Sequence, residues 1–149
     1  MKILMRLRHL PVRLATGAFI LDAGINHTEP DEQTAQQVHG MASGTYPFLS
    51  SFDPMAFTRL LGYAEAALGA ALLIPVVPSM LAGAGLVGFS GGLLGMYLRT
   101  PGLRRRQSLR PTPDGIPLAK DSWMLAIGAG LILDELLSRT RKPAAVAPL

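Results

Sequence analysis

Long apolar segments alternate with polar, proline-containing segments along this chain. Residues 57–74 are apolar apart from Glu65 and one arginine near the start, and residues 79–98 carry no charged side chain. Pro75 and Pro78 separate the two segments, and proline ends a helix because it lacks the backbone donor and clashes with the preceding turn. About 20 apolar residues cross the hydrocarbon core of a bilayer, and only a helix satisfies an isolated backbone there. The pattern therefore predicts two antiparallel transmembrane helices joined by a tight turn.

Two further apolar segments complete the predicted fold. Residues 10–26 form a shorter span that contains Arg13 and Asp22, and residues 122–137 form the last span, with Asp121 as its expected cap. Arg13 lies near the end of its span, so we expect its side chain to reach the interface. A cleaved signal peptide is the alternative for the first segment, but Asp22 interrupts the apolar run and no small-residue cleavage site follows. The prediction is an all-α integral membrane protein, a single-domain four-helix transmembrane bundle with two long polar loops.

The remaining segments are polar. Residues 1–9 are predicted to be a basic arm at the interface, and residues 139–149 a disordered tail. In the first long loop we expect a short helix that starts at Pro30, runs to about His39 and ends at Gly40. Four prolines predict that the second long loop is irregular.

Small residues indicate where the helices touch. Four glycines of the third span recur at i, i+3, i+4 and i+7, which places them on one helix face. Glycine and alanine form a similar stripe on the second span, and Glu65 lies on it. Because small residues let helix backbones approach closely in a membrane, we expect the two stripes to pack together. The predicted helix-packing residues are Gly62, Gly69, Gly88, Gly91, Gly92 and Gly95.

Composition supports a membrane protein and excludes several functions. The hydrophobic fraction is 49% and the charged fraction is 16%, below the roughly 25% of soluble domains. Without cysteine, the chain cannot form disulfides, thiolate metal sites or thiol redox centres. The net charge of +4 favours contact with anionic headgroups, and sparse aromatic residues outside the basic clusters argue against nucleic-acid binding.

Glu65 is the strongest candidate for chemistry, because a carboxylate inside a span is costly and is by default a functional hypothesis. It could take a proton, bind a polar headgroup or hydrogen-bond a quinone carbonyl, and the alternative is a purely structural bond between helices. Asp22 is the second buried polar candidate, with an interfacial cap as its alternative. Ser79 and Ser90 lack a recognisable base, and the histidines and acids of the first loop match no metal site. We therefore predict no catalytic residue and no metal site.

The second long loop is strongly basic. We expect its arginines to contact a partner subunit or lipid phosphates. Lys and Arg divide equally between the two sides of the predicted bundle, so their count does not decide its orientation. The usual dominance of the first helix favours termini inside. The predicted contact residues are Arg104, Arg105, Arg106 and Arg110.

Several segments resemble the DoxX-like family of small bacterial membrane proteins. They are LGYAEAALG at residues 61–69, RLATG at residues 13–17 and DAG at residues 22–24, together with the glycine-rich third span. The resemblance covers about residues 10–137. It implies a four-helix bundle in the bacterial plasma membrane, in a family linked to quinone-coupled sulfur oxidation and to oxidoreductase complexes that handle oxidative stress. Glu65 then corresponds to the family's second-helix glutamate, which has no established catalytic role.

Three functions are compatible with these observations. The first is a non-catalytic accessory subunit of a membrane oxidoreductase or respiratory complex. The second is a quinone-linked membrane oxidoreductase subunit with Glu65 at the site, and the third is a lipid-binding envelope protein. We expect no cofactor on the chain itself, with quinone and phospholipid as candidate ligands. The expected partners are membrane lipids, including anionic phospholipids, and other membrane subunits.

Overall fold

The computed structural model describes residues 7–140, and this part of the chain is all-helical. Single helical turns at Pro47–Ser51, Pro113–Gly115 and Ile116–Ala119 lie between the longer helices. The five longer helices are α1 (Leu10–Thr28), α2 (Glu32–Thr45), α3 (Pro54–Leu73), α4 (Ser79–Arg99) and α5 (Asp121–Thr140).

Three helical segments are long and apolar enough to cross a membrane. They are α3, α4 and the segment Pro113–Thr140, which contains α5. Large apolar side chains also point outwards, which suits helices surrounded by lipid. Helix α1 has 19 residues but is not among the three, because Arg13, Asp22 and the polar residues at its end lower its hydropathy. The structure thus supports a helical membrane protein, and the crossing by α1 stays a prediction. Examples of the exposed apolar residues are Leu14, Leu60, Leu81 and Leu133.

The helices associate as two pairs, α1 with α3 and α4 with α5. Glycine brings the backbones of each pair into direct contact. A Cβ atom at Gly24 of α1 would lie 2.4 Å from the backbone nitrogen of Ala66, and one at Gly69 would lie 2.5 Å from that of Leu21. In the other pair, a Cβ atom at Gly83 would lie 2.8 Å from the carbonyl oxygen of Gly128. The glycine stripe of α3 therefore faces α1.

The predicted contact between the stripes of α3 and α4 is wrong. A Cβ atom at Gly88, Gly91 or Gly92 would meet nothing within 4 Å, and one at Gly95 would meet the Tyr46 hydroxyl rather than a helix. Helices α3 and α4 touch little, although only residues 74–78 separate them. A stripe of glycines in the sequence identifies a helix face without large side chains. It does not show which helix, if any, packs against that face.

The hydrophobic core connects the two helix pairs near the turn between α3 and α4. Leu72 of α3 and both Ala82 and Leu86 of α4 belong to it, and all three lie in the helix halves next to residues 74–78. We call this end of the molecule the turn end and the opposite end the loop end. At the loop end, α3 extends past α1, because Gly62 already packs against the backbone of His27 and Thr28.

Helix α2 packs on this extension of α3. The Thr58 hydroxyl donates to the carbonyl of Ala35 at 3.4 Å, and the rings of His39 and Phe57 meet edge to face at 5.4 Å. Asp31 caps α2 by accepting from the backbone N–H of Thr34 at 2.7 Å, which lowers the pKa of its carboxyl group.

Several boundaries predicted for the polar segments differ from the structure. Helix α2 continues through Gly40 to Thr45, because its buried face recurs at helical spacing beyond His39. Helix α5 continues to Thr140, into the predicted tail. The predicted basic arm and the rest of the tail lie largely outside the described residues.

Arg13 links the helices at the turn end. Its side chain is buried inside the protein, contrary to the prediction that it extends to the membrane interface. Its residue exposure is 4%. The guanidinium donates five hydrogen bonds, at 2.8–3.1 Å, so that every N–H group has an acceptor. Carbonyls of the last helical turn lack an intrahelical donor, and Arg13 supplies one to α3 and to the turn that follows. The acceptors are the carbonyls of Ala71, Leu72, Ile74 and Val77 and the hydroxyl of Ser79.

Replacing Gly24 by alanine should destabilise the protein by about 1–3 kcal/mol, because the new methyl group overlaps the backbone of α3. Gly91→Ala is the matched control, since its methyl group has free space and alanine favours a helix over glycine by up to about 1 kcal/mol. Thermal unfolding in mild detergent, followed by circular dichroism, measures both. Equal midpoints for the two variants would contradict the close contact of α1 and α3.

Arg13→Lys should cost about 2–4 kcal/mol, because an ammonium group has three donors for five acceptors and cannot reproduce the planar arrangement of the guanidinium. Arg8→Lys is the control. Arg8 pairs with Asp134 at the same end, but its side chain is 49% exposed, so its replacement should change stability by less than about 1 kcal/mol. The same unfolding assay separates them, and a loss no larger for Arg13→Lys than for Arg8→Lys would refute the anchoring role.

Candidate functional site

A cavity of about 570 Å³ lies at the loop end between α2, α3 and α4. Aliphatic, aromatic and methionine side chains form most of its wall, and a short segment before α5 completes it. The apolar wall includes Val38, Met41, Leu49, Phe57, Leu61, Phe89, Leu93, Met96 and Leu118.

The α4 glycines that have no close neighbour help to form this cavity. Gly88 and Gly92 line it, on the face that the sequence stripe identified. Because neither would bring a Cβ atom within 4 Å of another residue, the missing side chains provide volume rather than helix contact. Gly91 lies on the same helix and does not line the cavity.

Glu65 and His27 form a polar pair in the wall of this apolar cavity. His27 Nδ1 lies 2.5 Å from Glu65 Oε2, and the two side chains are 28% and 7% exposed. Helix α3 places Glu65 at its centre, and Gly62 lets the last turn of α1 come close enough for His27 to reach it. The pair therefore depends on the glycine contact between α1 and α3.

Each member of the pair has one polar atom that the bond between them does not use. Within residues 7–140, neither side chain makes a further hydrogen bond, which leaves Glu65 Oε1 and His27 Nε2 for another molecule. A carboxylate oxygen accepts, and the second imidazole nitrogen donates or accepts according to its proton. The pair can thus bind a carbonyl or a hydroxyl group, and it can take up or release a proton.

Helix α2 and the segment after it cover the cavity. The Tyr46 hydroxyl donates to the carbonyl of Gly92 at 2.8 Å, which ties the end of α2 to α4. His39 does not line the cavity, and its Nε2 bonds to the Leu49 carbonyl at 2.9 Å. No group of three or more His, Asp or Glu side chains in the described part of the chain could hold a metal ion.

Two carboxylates differ from their predicted roles. Asp22 is exposed on α1 and is not a buried polar group, because Gly17 and Gly24 lie on the face of α1 that meets α3. Asp121, expected only to cap α5, is 3% exposed and interacts electrostatically with Glu65. Its position next to Lys120 at a predicted helix start gave no signal of burial.

Ser79 does have a base beside it, contrary to the sequence prediction. His9 lies between Ser79 and Asp134, with Nδ1 2.9 Å from the hydroxyl and Nε2 2.6 Å from the carboxylate. Arg13 can only donate, so the Ser79 oxygen accepts from it at 3.1 Å, and the same hydroxyl group forms the hydrogen bond with His9. Ser79 is only 5% exposed, and we interpret this row of hydrogen bonds as a structural link between α1, α4 and α5.

Comparison with known proteins adds no identification. No protein-family model matches the chain, and neither a curated protein nor a solved structure is significantly similar to it. The resemblance to the DoxX-like family therefore stays a prediction from the sequence segments. The geometry of the Glu65–His27 pair and its cavity is the observation from which a function is argued.

Proposed function

We propose that this chain is a membrane protein that binds a small apolar molecule with a carbonyl or hydroxyl group, of the quinone class, in the cavity beside α4. The observation that carries the proposal is the Glu65–His27 pair, which presents unused hydrogen-bonding atoms in a mostly apolar wall. Binding sites for small molecules commonly combine an apolar wall with a few polar groups that fix orientation.

The size of the cavity supports this class of ligand. Ligand pockets usually measure roughly 300–1,000 Å³, and about 570 Å³ is enough for a substituted aromatic ring with part of an apolar tail. Phe57, Phe89 and Met96 offer flat or adaptable surfaces to such a ring. Among the residues that line the cavity, Glu65 and Asp114 are acidic and none is lysine or arginine, so a ligand with several negative charges would find no basic partner other than His27.

The pair suits both redox forms of a quinone. The oxidised ring presents carbonyl oxygens that need donors, and the reduced ring presents hydroxyl groups that need acceptors. A carboxyl–imidazole pair that shares a proton offers both. In the accessory role predicted from the sequence, a partner subunit exchanges electrons with the ring while this pair exchanges protons with it.

The same proposal includes a multi-pass location in the bacterial plasma membrane and a crossing by α1. Phe19 and Ile25 are more than half exposed on α1, and apolar side chains on an outer helix face favour contact with lipid. Attachment to an oxidoreductase or respiratory complex rests on the resemblance alone. Native co-purification from the source membrane tests it, because an accessory subunit should elute in fixed ratio with redox-active subunits.

Filling the space beside Gly88 should block the cavity. We expect Gly88→Leu to weaken binding of a short-tailed quinone, decylubiquinone, at least tenfold without lowering the unfolding midpoint. Gly91→Leu is the matched control, since it adds the same side chain to the same helix outside the cavity. Isothermal titration calorimetry in mild detergent measures both, and equal affinities for the two variants would exclude this cavity as the quinone site.

Removing the charge of Glu65 should also weaken binding. Glu65→Gln keeps the side-chain volume but removes the charge-assisted hydrogen bonds, which are worth about 1.5–3 kcal/mol, so the affinity should fall about 10- to 100-fold. Asp22→Asn is the control, because it makes the same chemical change at an exposed position of α1. If Glu65→Gln binds decylubiquinone as tightly as Asp22→Asn does, the pair is only a structural bond between helices.

A further inference from the structure

The second long loop contains a short ordered hairpin, residues 103–112, which we call the arginine hairpin. The backbone N–H of Arg105 donates to the carbonyl of Arg110 at 2.8 Å, and that of Thr112 donates to Leu103 at 3.0 Å. Gln107, with φ of 56°, lies at the tight end of the turn. The loop was predicted to be irregular because its prolines suggested only turns, but the prolines lie at the edges of this hairpin.

The base of the arginine hairpin is fixed to the protein. The Tyr97 hydroxyl donates to the carbonyl of Leu109 at 2.7 Å, and Thr112 donates to Gly102 at 2.5 Å. Gly115 lies so close that a Cβ atom there would overlap the carbonyl oxygen of Leu103. The side chains at the tip are therefore held on a fixed support at the end of α4.

Three of the four predicted contact arginines are free at this tip. Arg105, Arg106 and Arg110 are exposed, and within residues 7–140 their guanidinium groups have no ion-pair or hydrogen-bond partner. Arg104 differs, because it donates to the carbonyl of Leu98 at 2.6 Å and so supports the hairpin. At the turn end, by contrast, Arg8 pairs with Asp134.

Exposed apolar side chains accompany these charges. Leu109 lies next to Arg110 and is 72% exposed, while Ile116 and Trp123, before and within α5, are 57% and 73% exposed. The hairpin joins two segments that are apolar enough to cross a membrane, since α4 ends at Arg99 and the last segment begins at Pro113. Arginine next to an exposed leucine, with an exposed tryptophan in the first turn of the following helix, is the composition of a surface at the lipid–water interface.

From this geometry we propose that the arginine hairpin is a binding site for the headgroups of anionic phospholipids, with Arg105, Arg106 and Arg110 on the phosphate and Leu109 among the acyl chains. A guanidinium group binds phosphate through two parallel N–H bonds. Lipid is favoured over a protein partner because the hairpin lies between two candidate spans and carries an exposed apolar side chain with its charges. The site is separate from the Glu65 cavity, so it stands or fails independently of the quinone proposal.

The test uses the full chain reconstituted in phosphatidylcholine vesicles, with the single tryptophan, Trp123, as the reporter. Quenching by brominated phosphatidylglycerol relative to brominated phosphatidylcholine gives the preference for the anionic lipid. Each basic residue near a charged surface contributes about fivefold. We therefore expect replacement of Arg105, Arg106 and Arg110 by Gln to lower the preference for the anionic lipid about 100-fold at low salt. Added salt should weaken the preference of the wild-type protein.

Two controls make the result specific. Changing Arg139, Arg141 and Lys142 to Gln removes the same net charge elsewhere and should leave the preference intact. Changing the three hairpin arginines to Lys keeps the charge, so it should retain most of the preference even if the Gln variant folds poorly.

Three results would overturn the proposal. The first is an unchanged preference in the hairpin Gln variant, and the second is an equal loss in the tail variant, which would show an effect of overall charge. The third is loss of a co-purifying acidic protein from the hairpin variant while its lipid preference is kept, which would make the hairpin a protein contact.

Discussion

Backbone carbonyls at the end of a helix need donors, and water is scarce where two spans turn around close to the hydrocarbon. Here one guanidinium group provides the donors for the end of α3 and for the turn to α4. Because Arg13 belongs to α1, this interaction fixes the register between α1 and α3, that is, which residues of the two helices lie opposite each other. That register places Gly24 against Gly62 and, further along, His27 against Glu65. The candidate site thus depends on a hydrogen-bonding requirement at the opposite end of the molecule.

Glycine has two opposite effects in this bundle. At Gly24 and Gly69 its missing side chain lets backbones touch, whereas at Gly88 and Gly92 it leaves space that no neighbour fills. The difference arises because α1 and α3 pack along their length, while α3 and α4 meet closely only near the turn. Close contact in one helix pair and divergence between the pairs together produce a cavity with a polar pair in its wall.

Periodicity and apolar length were enough to predict an all-helical chain, and three of the four predicted spans have helices that could cross a membrane. Glu65 stood out because a carboxylate in an apolar run is costly. Its partner His27 gave no such signal, since the two residues meet only through the packing of α1 on α3. The roles of Arg13 and Ser79 were missed for the same reason, because their partners lie about 60 or 70 residues away in sequence. Contacts between distant segments depend on helix pairing, which a single sequence does not determine.

The position of Gly88 in the cavity wall has a consequence for which ligands the cavity can select. Gly88 is exposed and lies on a helix that is apolar enough to be surrounded by lipid, so a hydrophobic guest would enter from the bilayer rather than from water. Such a guest has already left water, and moving from acyl chains to an apolar wall adds little driving force. Abundant lipids would compete on equal terms for the apolar surface. Discrimination must then come from the few polar side chains in the wall, first among them the carboxyl group of Glu65 and the imidazole ring of His27.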